Sequence, residues 1–176
     1  DDFGIDGYRA DASAMVPDDF WTAWRKTLKA KHPDLLLLSE SDPFNLYKAG
    51  FEVAYDWKTL PKFLLALNRP TVAGILADTI VSEQGQDSIP VWRLRYLENH
   101  DQERIAKAAS TLEQRKLAAA FLLTLPGLPL IYAGQEIGAL NRPSIDRTKV
   151  DWDAGDDTLR ASYTELIGIR KASPAL

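Results

Sequence analysis

Five short apolar runs, each followed by a helical or loop segment, constrain this chain more than any other feature. They occupy residues 4–9, 35–38, 51–55, 91–97 and 130–133. The second is four consecutive leucines behind Pro33-Asp34, which suits a strand buried on both faces of a parallel sheet. The third and fourth alternate more, as half-buried strands do. The fifth follows Pro126-Gly127-Leu128-Pro129 and is apolar throughout. Amphipathic helices fill the gaps. After Pro17, Phe20, Trp24 and Leu28 recur at helical spacing until His32-Pro33 stops them. Thr71 is placed to cap a helix whose stripe is Val72, Ile75, Leu76 and Ile80. Thr111 with Gln114 forms a capping box ahead of Leu117, Phe121 and Leu122. Leu159, Tyr163, Leu166 and Ile167 make the stripe of a last helix. Such alternation predicts an α/β fold of five parallel βα units. The polar stretch at 84–88, with Pro90, reads as a loop rather than a boundary, so 1–176 is one domain.

Composition narrows the function classes. A net charge of −4, without a Lys/Arg cluster, speaks against a nucleic-acid partner. The absence of cysteine excludes disulfides and thiolate metal sites, and His32 and His100 are too few for a His-based zinc site. Residues 118–134 are the most apolar stretch, but Pro126, Gly127 and Pro129 break it into helix and strand, so no membrane partner is expected. The chain starts at Asp1 and its only Met is Met15, which reads as a piece of a longer polypeptide. Any signal peptide would then lie upstream, and the sequence assigns no compartment.

Polar residues collect at the ends of the apolar runs: Arg9 and Asp11; Ser39 and Glu40; Asp56 and Trp57; Glu98, Asn99, His100 and Asp101; Gln135 and Glu136. In a βα barrel the active site is built there, because the βα loops converge at the C-terminal strand ends. A charge directly after a run of leucines is costly unless it is paired or faces a wet cleft. Several such acids suit acid–base or nucleophilic chemistry, or a metal site. Each also has a plainer reading: Asp11 as a cap, Glu40 as a solvated strand end, Arg9 as a structural ion pair, His100 as a structural histidine, Trp57 as a core lid. Trp21, Trp24 and Trp92 are assigned to packing, and Glu136 to capping its loop.

Four motifs decide between these readings. Gly4-Ile5-Asp6-Gly7-Tyr8-Arg9-Ala10-Asp11-Ala12 resembles the fourth-strand motif of the α-amylase superfamily, glycoside hydrolase family 13. Leu37-Leu38-Ser39-Glu40 resembles its fifth-strand motif and Tyr96-Leu97-Glu98-Asn99-His100-Asp101 its seventh. The segment from Gly127 to Gly138 is similar to its eighth. The resemblance implies a partial TIM (β/α)8 barrel, strand 4 to helix 8, lacking the N-terminal half and any C-terminal β domain. It implies a retaining glycosidase acting on an oligo- or polysaccharide, an α-glucan. Asp11 would be the nucleophile, Glu40 the acid and then the base, and Asp101 the stabiliser of an oxocarbenium-like transition state. Arg9 would keep the nucleophile ionised, and His100 would donate to a sugar hydroxyl, with Asn99 beside it. Trp57 and Tyr8 would stack on sugar faces.

The chain also departs from the family. Many α-amylases carry a Lys-His pair shortly after the nucleophile, contacting a leaving-group sugar and sometimes calcium; here that stretch is Ala12-Ser13-Ala14-Met15. The first-strand motif, the third-strand loop domain and the usual calcium ligands lie outside the chain, so no cofactor is expected within it and calcium belongs to the full-length enzyme. An α-glucan transglycosylase and a non-catalytic carbohydrate-binding fragment are the alternatives. A metal-dependent hydrolase is disfavoured by the shortage of His ligands. Five strands without the other three leave open edges, so the stretch alone is expected to be poorly soluble, to self-associate through those edges, or to stay inactive until given the missing half.

Overall fold

The computed structural model describes residues 4–41, 49–85 and 92–175. Five strands form one parallel sheet in sequence order: β1 (Gly7–Ala10), β2 (Leu36–Ser39), β3 (Val53–Tyr55), β4 (Trp92–Arg95) and β5 (Leu128–Pro129). The α-helices are α1 (Asp18–Lys31), α2 (Thr59–Asn68), α3 (Ala73–Gly85), α4 (Ile105–Ala108), α5 (Leu112–Thr124), α6 (Pro143–Asp146) and α7 (Asp157–Ala172). The chain divides into two compact units, one running to Trp57 and adding Ile80–Leu94, the other comprising Lys58–Thr79 and Arg95–Leu176.

In the first unit β1 pairs with β2 from Gly7↔Leu36 to Ala10↔Ser39. The β2–β3 ladder is shorter, Leu38↔Val53 and Ser39↔Ala54. β3 starts at Val53 and not at the expected residue 51, because the Glu52 carboxylate accepts the Leu37 N–H at 2.9 Å and takes the place of a ladder bond. Lys29 in turn holds the other Glu52 oxygen at 2.9 Å. Ala10 and Leu37 face α1 and form a core with Trp21, Ala49 and Phe51. The four leucines are therefore not buried on both faces: Leu37 is buried and Leu36 is exposed.

Helix α1 follows Pro17 and ends where His32 N–H bonds Leu28 O, as the spacing predicts. Its inward face differs by one residue, with Trp21 at 7% exposure and Phe20 at 52%. The Trp21 indole N–H donates to Ser13 O at 2.9 Å, and its ring meets Trp24 and Phe51 edge-on. A buried indole needs an acceptor, and that requirement sets the helix rotation. Trp92, assigned to packing, is 57% exposed; its backbone N–H, not its ring, is engaged, donating to Glu52 O.

In the second unit the Thr111–Gln114 capping box is present in both directions. Behind it α5 buries Ala118, Ala119, Leu122 and Leu123, whereas Leu117 points outward. Leu159 and Tyr163 of α7 pack on Ala119 and Leu123, with Leu166 and Ile167 alongside. Thr71 lies inside a 3-10 turn, Pro70–Val72, and α3 begins at Ala73 with Leu76 and Thr79 buried and Ile75 exposed. Gln84 and Gly85 end that helix; the rest of the polar stretch, with Pro90 and Val91, lies outside the described residues. β5 sits two residues earlier than the apolar run suggested. Pro129 has no N–H, so the ladder bond to β4 comes from Leu130 N to Arg95 O at 2.7 Å. Beyond it, Tyr132 N–H goes to the Gln135 side chain and no strand continues.

Two outcomes follow from the sheet. A Cβ on Gly7 would lie 2.3 Å from Leu36 O, a backbone atom that cannot yield without disturbing the ladder. Gly7→Ala in the whole protein is expected to cost about 1–3 kcal/mol, read as a lowered melting temperature. Among the described residues β1 pairs only with β2 and β5 only with β4. The 176-residue stretch expressed alone is expected to self-associate in sedimentation, and a monodisperse monomer would contradict this.

Candidate active site

In the first unit the site grows out of the β1–β2 register. Arg9 lies within β1, Asp11 directly follows it, and Glu40 directly follows β2. Because Ala10 pairs with Ser39, the next residue of each strand leaves the sheet beside the other, and Glu40 N–H bonds Ala10 O. Arg9 spans them: Nη1 meets Asp11 Oδ1 at 2.9 Å and Nη2 meets Glu40 Oε1 at 2.5 Å. Its guanidinium also lies over the Tyr55 ring at 5.6 Å. Partial burial works against the Arg9 charge, but Tyr55, Glu40 and Asp11 outweigh it and its pKa rises above the ordinary value.

Glu40 is fixed at four points. Besides Arg9 and Ala10, Ala12 N–H donates to Oε2 at 2.7 Å and the Trp57 indole N–H donates to the Glu40 carbonyl at 2.6 Å. Ala12 reaches this position in the left-handed region, φ 43° and ψ 37°, a conformation that costs an L-residue about 1–2 kcal/mol. Trp57 is itself stacked on Tyr55, with centroids 5.7 Å apart. The Asp11 side chain is 76% exposed and that of Glu40 14%. Tyr8 is not brought to this cluster: one residue from Arg9, it faces the opposite side of the sheet, edge-on to Trp24 of α1.

Sequence reasoning missed the serines beneath. The Ser13 and Ser39 hydroxyls, both fully buried, lie 2.7 Å apart. Ser39 Oγ donates to Ser41 O at 2.7 Å, while Ser41 N–H points back at both hydroxyls. Small hydroxyl residues at a strand end and in the facing loop were the available signal. Residues 12–15 offer no carboxylate, and the Ser13 hydroxyl is committed to this network.

In the second unit the loop after β4 carries residues 98–101. His100 Nε2 and Asp101 Oδ2 lie 3.3 Å apart, both side chains solvent-accessible. Asn99, expected beside the substrate, is 3% exposed. Its Oδ1 accepts the N–H groups of Asp101 and Gln102 at 2.9 and 3.0 Å, so its amide shapes the loop from within. Glu98, noted only as a strand end, is fully buried against Arg104, which sequence reasoning did not select. Arg104 Nη1 meets Glu98 Oε1 at 2.6 Å and Ile105 N–H meets Oε2 at 2.7 Å. Burial pushes the Glu98 carboxyl upward, and the Arg104 hydrogen bond opposes it. Arg104 also donates to Asn141 O and Ala133 O and covers the Tyr132 ring at 4.7 Å. Glu136 accepts Gly134 N–H at 3.1 Å.

With this geometry in hand, comparison with known proteins places the chain. Residues 1–165 match the family described as the alpha-amylase catalytic domain. The chain belongs to that family. It is 34% identical to alpha-amylase MalA of Haloarcula japonica, an alignment covering 98% of this chain and 26% of the relative. It is 28% identical to alpha-amylase 2 of Dictyoglomus thermophilum, covering 99% of this chain and 34% of that protein. The structure is similar to the alpha-amylase of Geobacillus thermoleovorans complexed with acarbose, with TM-score 0.81, 26% identity, and 97% and 41% of the two chains covered. The chain thus spans about a quarter to a third of the curated relatives it matches. Its fold is that of the family's (β/α)8 barrel in part, five parallel βα units.

Within this family member the Glu98–Arg104 pair yields a firm expectation. Glutamine at 98 must turn its NH2 toward either the Arg104 or the Ile105 donor, leaving two donors face to face and the guanidinium charge unpaired. Glu98→Gln in the whole protein is expected to cost about 3–5 kcal/mol in a denaturant titration.

Proposed function

We propose that the protein is a retaining α-glycosidase hydrolysing α-glucans or maltooligosaccharides, with Asp11 as nucleophile, Glu40 as general acid and base, and Asp101 as transition-state stabiliser. The observation that carries this reading is the Arg9 guanidinium with Asp11 on one nitrogen and Glu40 on the other. Retaining glycosidases need two carboxyls about 5–5.5 Å apart, and neighbouring nitrogens of one planar fork keep two carboxylates at a spacing of that order. The alpha-amylase names of the relatives, and acarbose in one related structure, support the substrate class.

Protonated Glu40 gives its proton to the glycosidic oxygen as an Asp11 oxygen bonds the anomeric carbon. The leaving sugar departs as an alcohol. Asp11 is then a neutral ester and Glu40 an anion, so the negative charge has moved from one end of the Arg9 fork to the other. Glu40 next takes a proton from water, the hydroxide oxygen bonds the anomeric carbon, and Asp11 is released as a carboxylate. Two inversions give net retention. His100 donates to a sugar hydroxyl, and Trp57 acts by holding the Glu40 carbonyl. No step requires a cofactor.

The test is hydrolysis of maltooligosaccharides by the whole protein, with NMR of the first product reporting the anomer; an α product from an α substrate is expected. Asp11→Asn is expected to abolish turnover. Glu40→Gln is expected to lose about 10²–10⁴-fold on maltooligosaccharides and far less on aryl α-glucosides, whose leaving groups need no proton. Equal losses on both substrates would remove Glu40 from the acid role, and a sugar rather than water in the product would assign transglycosylation.

A further inference from the structure

We propose that Arg142 and Ser144, on the segment after β5, are positioning residues that hold the His100–Asp101 backbone from outside and thereby set the Asp101 carboxylate. The catalytic part of this proposal rests on the role proposed above for Asp101. Ser144 Oγ donates to His100 O at 3.0 Å, and Arg142 Nη2 donates to Asp101 O at 3.0 Å. From within, Asn99 Oδ1 already accepts the Asp101 and Gln102 N–H groups. Both peptide groups around Asp101 are therefore held, at N–H by Asn99 and at C=O by Arg142. A residue fixed at both its own N–H and its own C=O has little freedom left in φ and ψ, so its side chain leaves the loop in one direction.

Arg142 is itself fixed. Its Nη1 meets Glu103 Oε1 at 2.5 Å, and Lys107 holds the other Glu103 oxygen at 2.6 Å. The segment that carries it is anchored at Asn141, whose carbonyl accepts from buried Arg104 and whose amide reaches Thr148 Oγ1 and Lys149 O. Arg142 N–H closes onto Asp146 Oδ2, and Ser144 lies within the short helix α6. Two loops are thus joined at Arg104, Arg142 and Ser144. Arg142 must serve a carboxylate and a carbonyl at once through two nitrogens of a planar fork, which a lysine ammonium on a flexible stem does not reproduce.

The position of Asp101 matters because misplacing a reacting or stabilising group by about 1 Å can cost on the order of 10²-fold. In the whole protein, Arg142→Ala is expected to lower kcat on maltooligosaccharides by about 10²-fold, with KM changed far less. Arg142→Lys should not restore it, and Ser144→Ala should give a smaller loss of the same kind. In an Asp101→Ala background Arg142→Ala should add nothing, because it acts through Asp101. Wild-type kcat in Arg142→Ala, or an equal loss in both backgrounds, overturns the positioning role. Hydrogen exchange over residues 99–104 provides a readout independent of activity. Arg142→Ala should speed exchange at the Asp101 and Gln102 amides, and unchanged exchange overturns the clamp. If Asp101→Ala left activity intact, the role of Asp101 would fall, while the exchange result would still decide whether the clamp exists.

Discussion

Residues that leave two parallel strands in register leave them side by side, and the first unit of this chain is arranged around that geometry. Pairing Arg9 with Leu38 and Ala10 with Ser39 makes Asp11 and Glu40 neighbours although they are far apart in sequence. A slip of one residue would exchange the faces of β1, sending Arg9 and Asp11 toward α1 and Tyr8 toward Glu40. Such a slip is opposed from both directions. Ala10 and Leu37 are committed to the core with Trp21 and Phe51, and Gly7 lies so close to the Leu36 backbone that no side chain fits there. The acid pair is therefore a consequence of core packing on the far side of the same strands.

The two units bury their polar groups by different means. In the first unit short side chains and backbone suffice: Ser13, Ser39 and Ser41 satisfy one another, and Ala12 adopts a costly conformation that presents its N–H to Glu40. In the second unit a long side chain does the work, as Arg104 crosses from Glu98 to the carbonyls of Ala133 and Asn141. A buried ion pair is seldom more stabilising than an apolar substitute, because desolvating both charges costs so much. What it does supply here is geometry, fixing the segment of Arg142 and Ser144 beside the loop of His100 and Asp101.

What the sequence disclosed, and what it did not, follows the range of the forces involved. The Thr111 capping box and the end of α1 at His32 depend on residues within one helical turn, and both were legible. The places where Asp11 and Glu40 leave their strands were legible because apolar runs stop there and because the motifs around them resemble one family, whereas β4 ends at Arg95 and leaves Asp101 in the loop beyond it. The inward face of α1 was not, since its rotation is set by an indole reaching Ser13 O. Nor was the start of β3, which depends on the Glu52 carboxylate substituting for a ladder bond. Asn99 illustrates the limit most clearly. An amide beside a histidine and an aspartate looks like a substrate contact, yet its oxygen is consumed by two backbone donors that no spacing rule reveals.

Glu40 and Asp11 are held very unequally, and the difference matches the work proposed for each. Glu40 is bonded at both carboxylate oxygens, its N–H and its carbonyl, and its side chain is mostly shielded. An acid that must deliver a proton to one oxygen and later collect one from water at the same place gains from being immobile, because its direction is then set before substrate arrives. Asp11 projects into solvent with Arg9 as its charge partner. A nucleophile must travel, closing from van der Waals contact to a covalent bond, and a carboxylate pinned at both oxygens would have to break those bonds as it moved. Arg9 reconciles the two demands. In the proposed reaction it would stay bonded to the stationary carboxylate while the mobile one leaves the other nitrogen, so the cation would not need to move as the negative charge shifts between them.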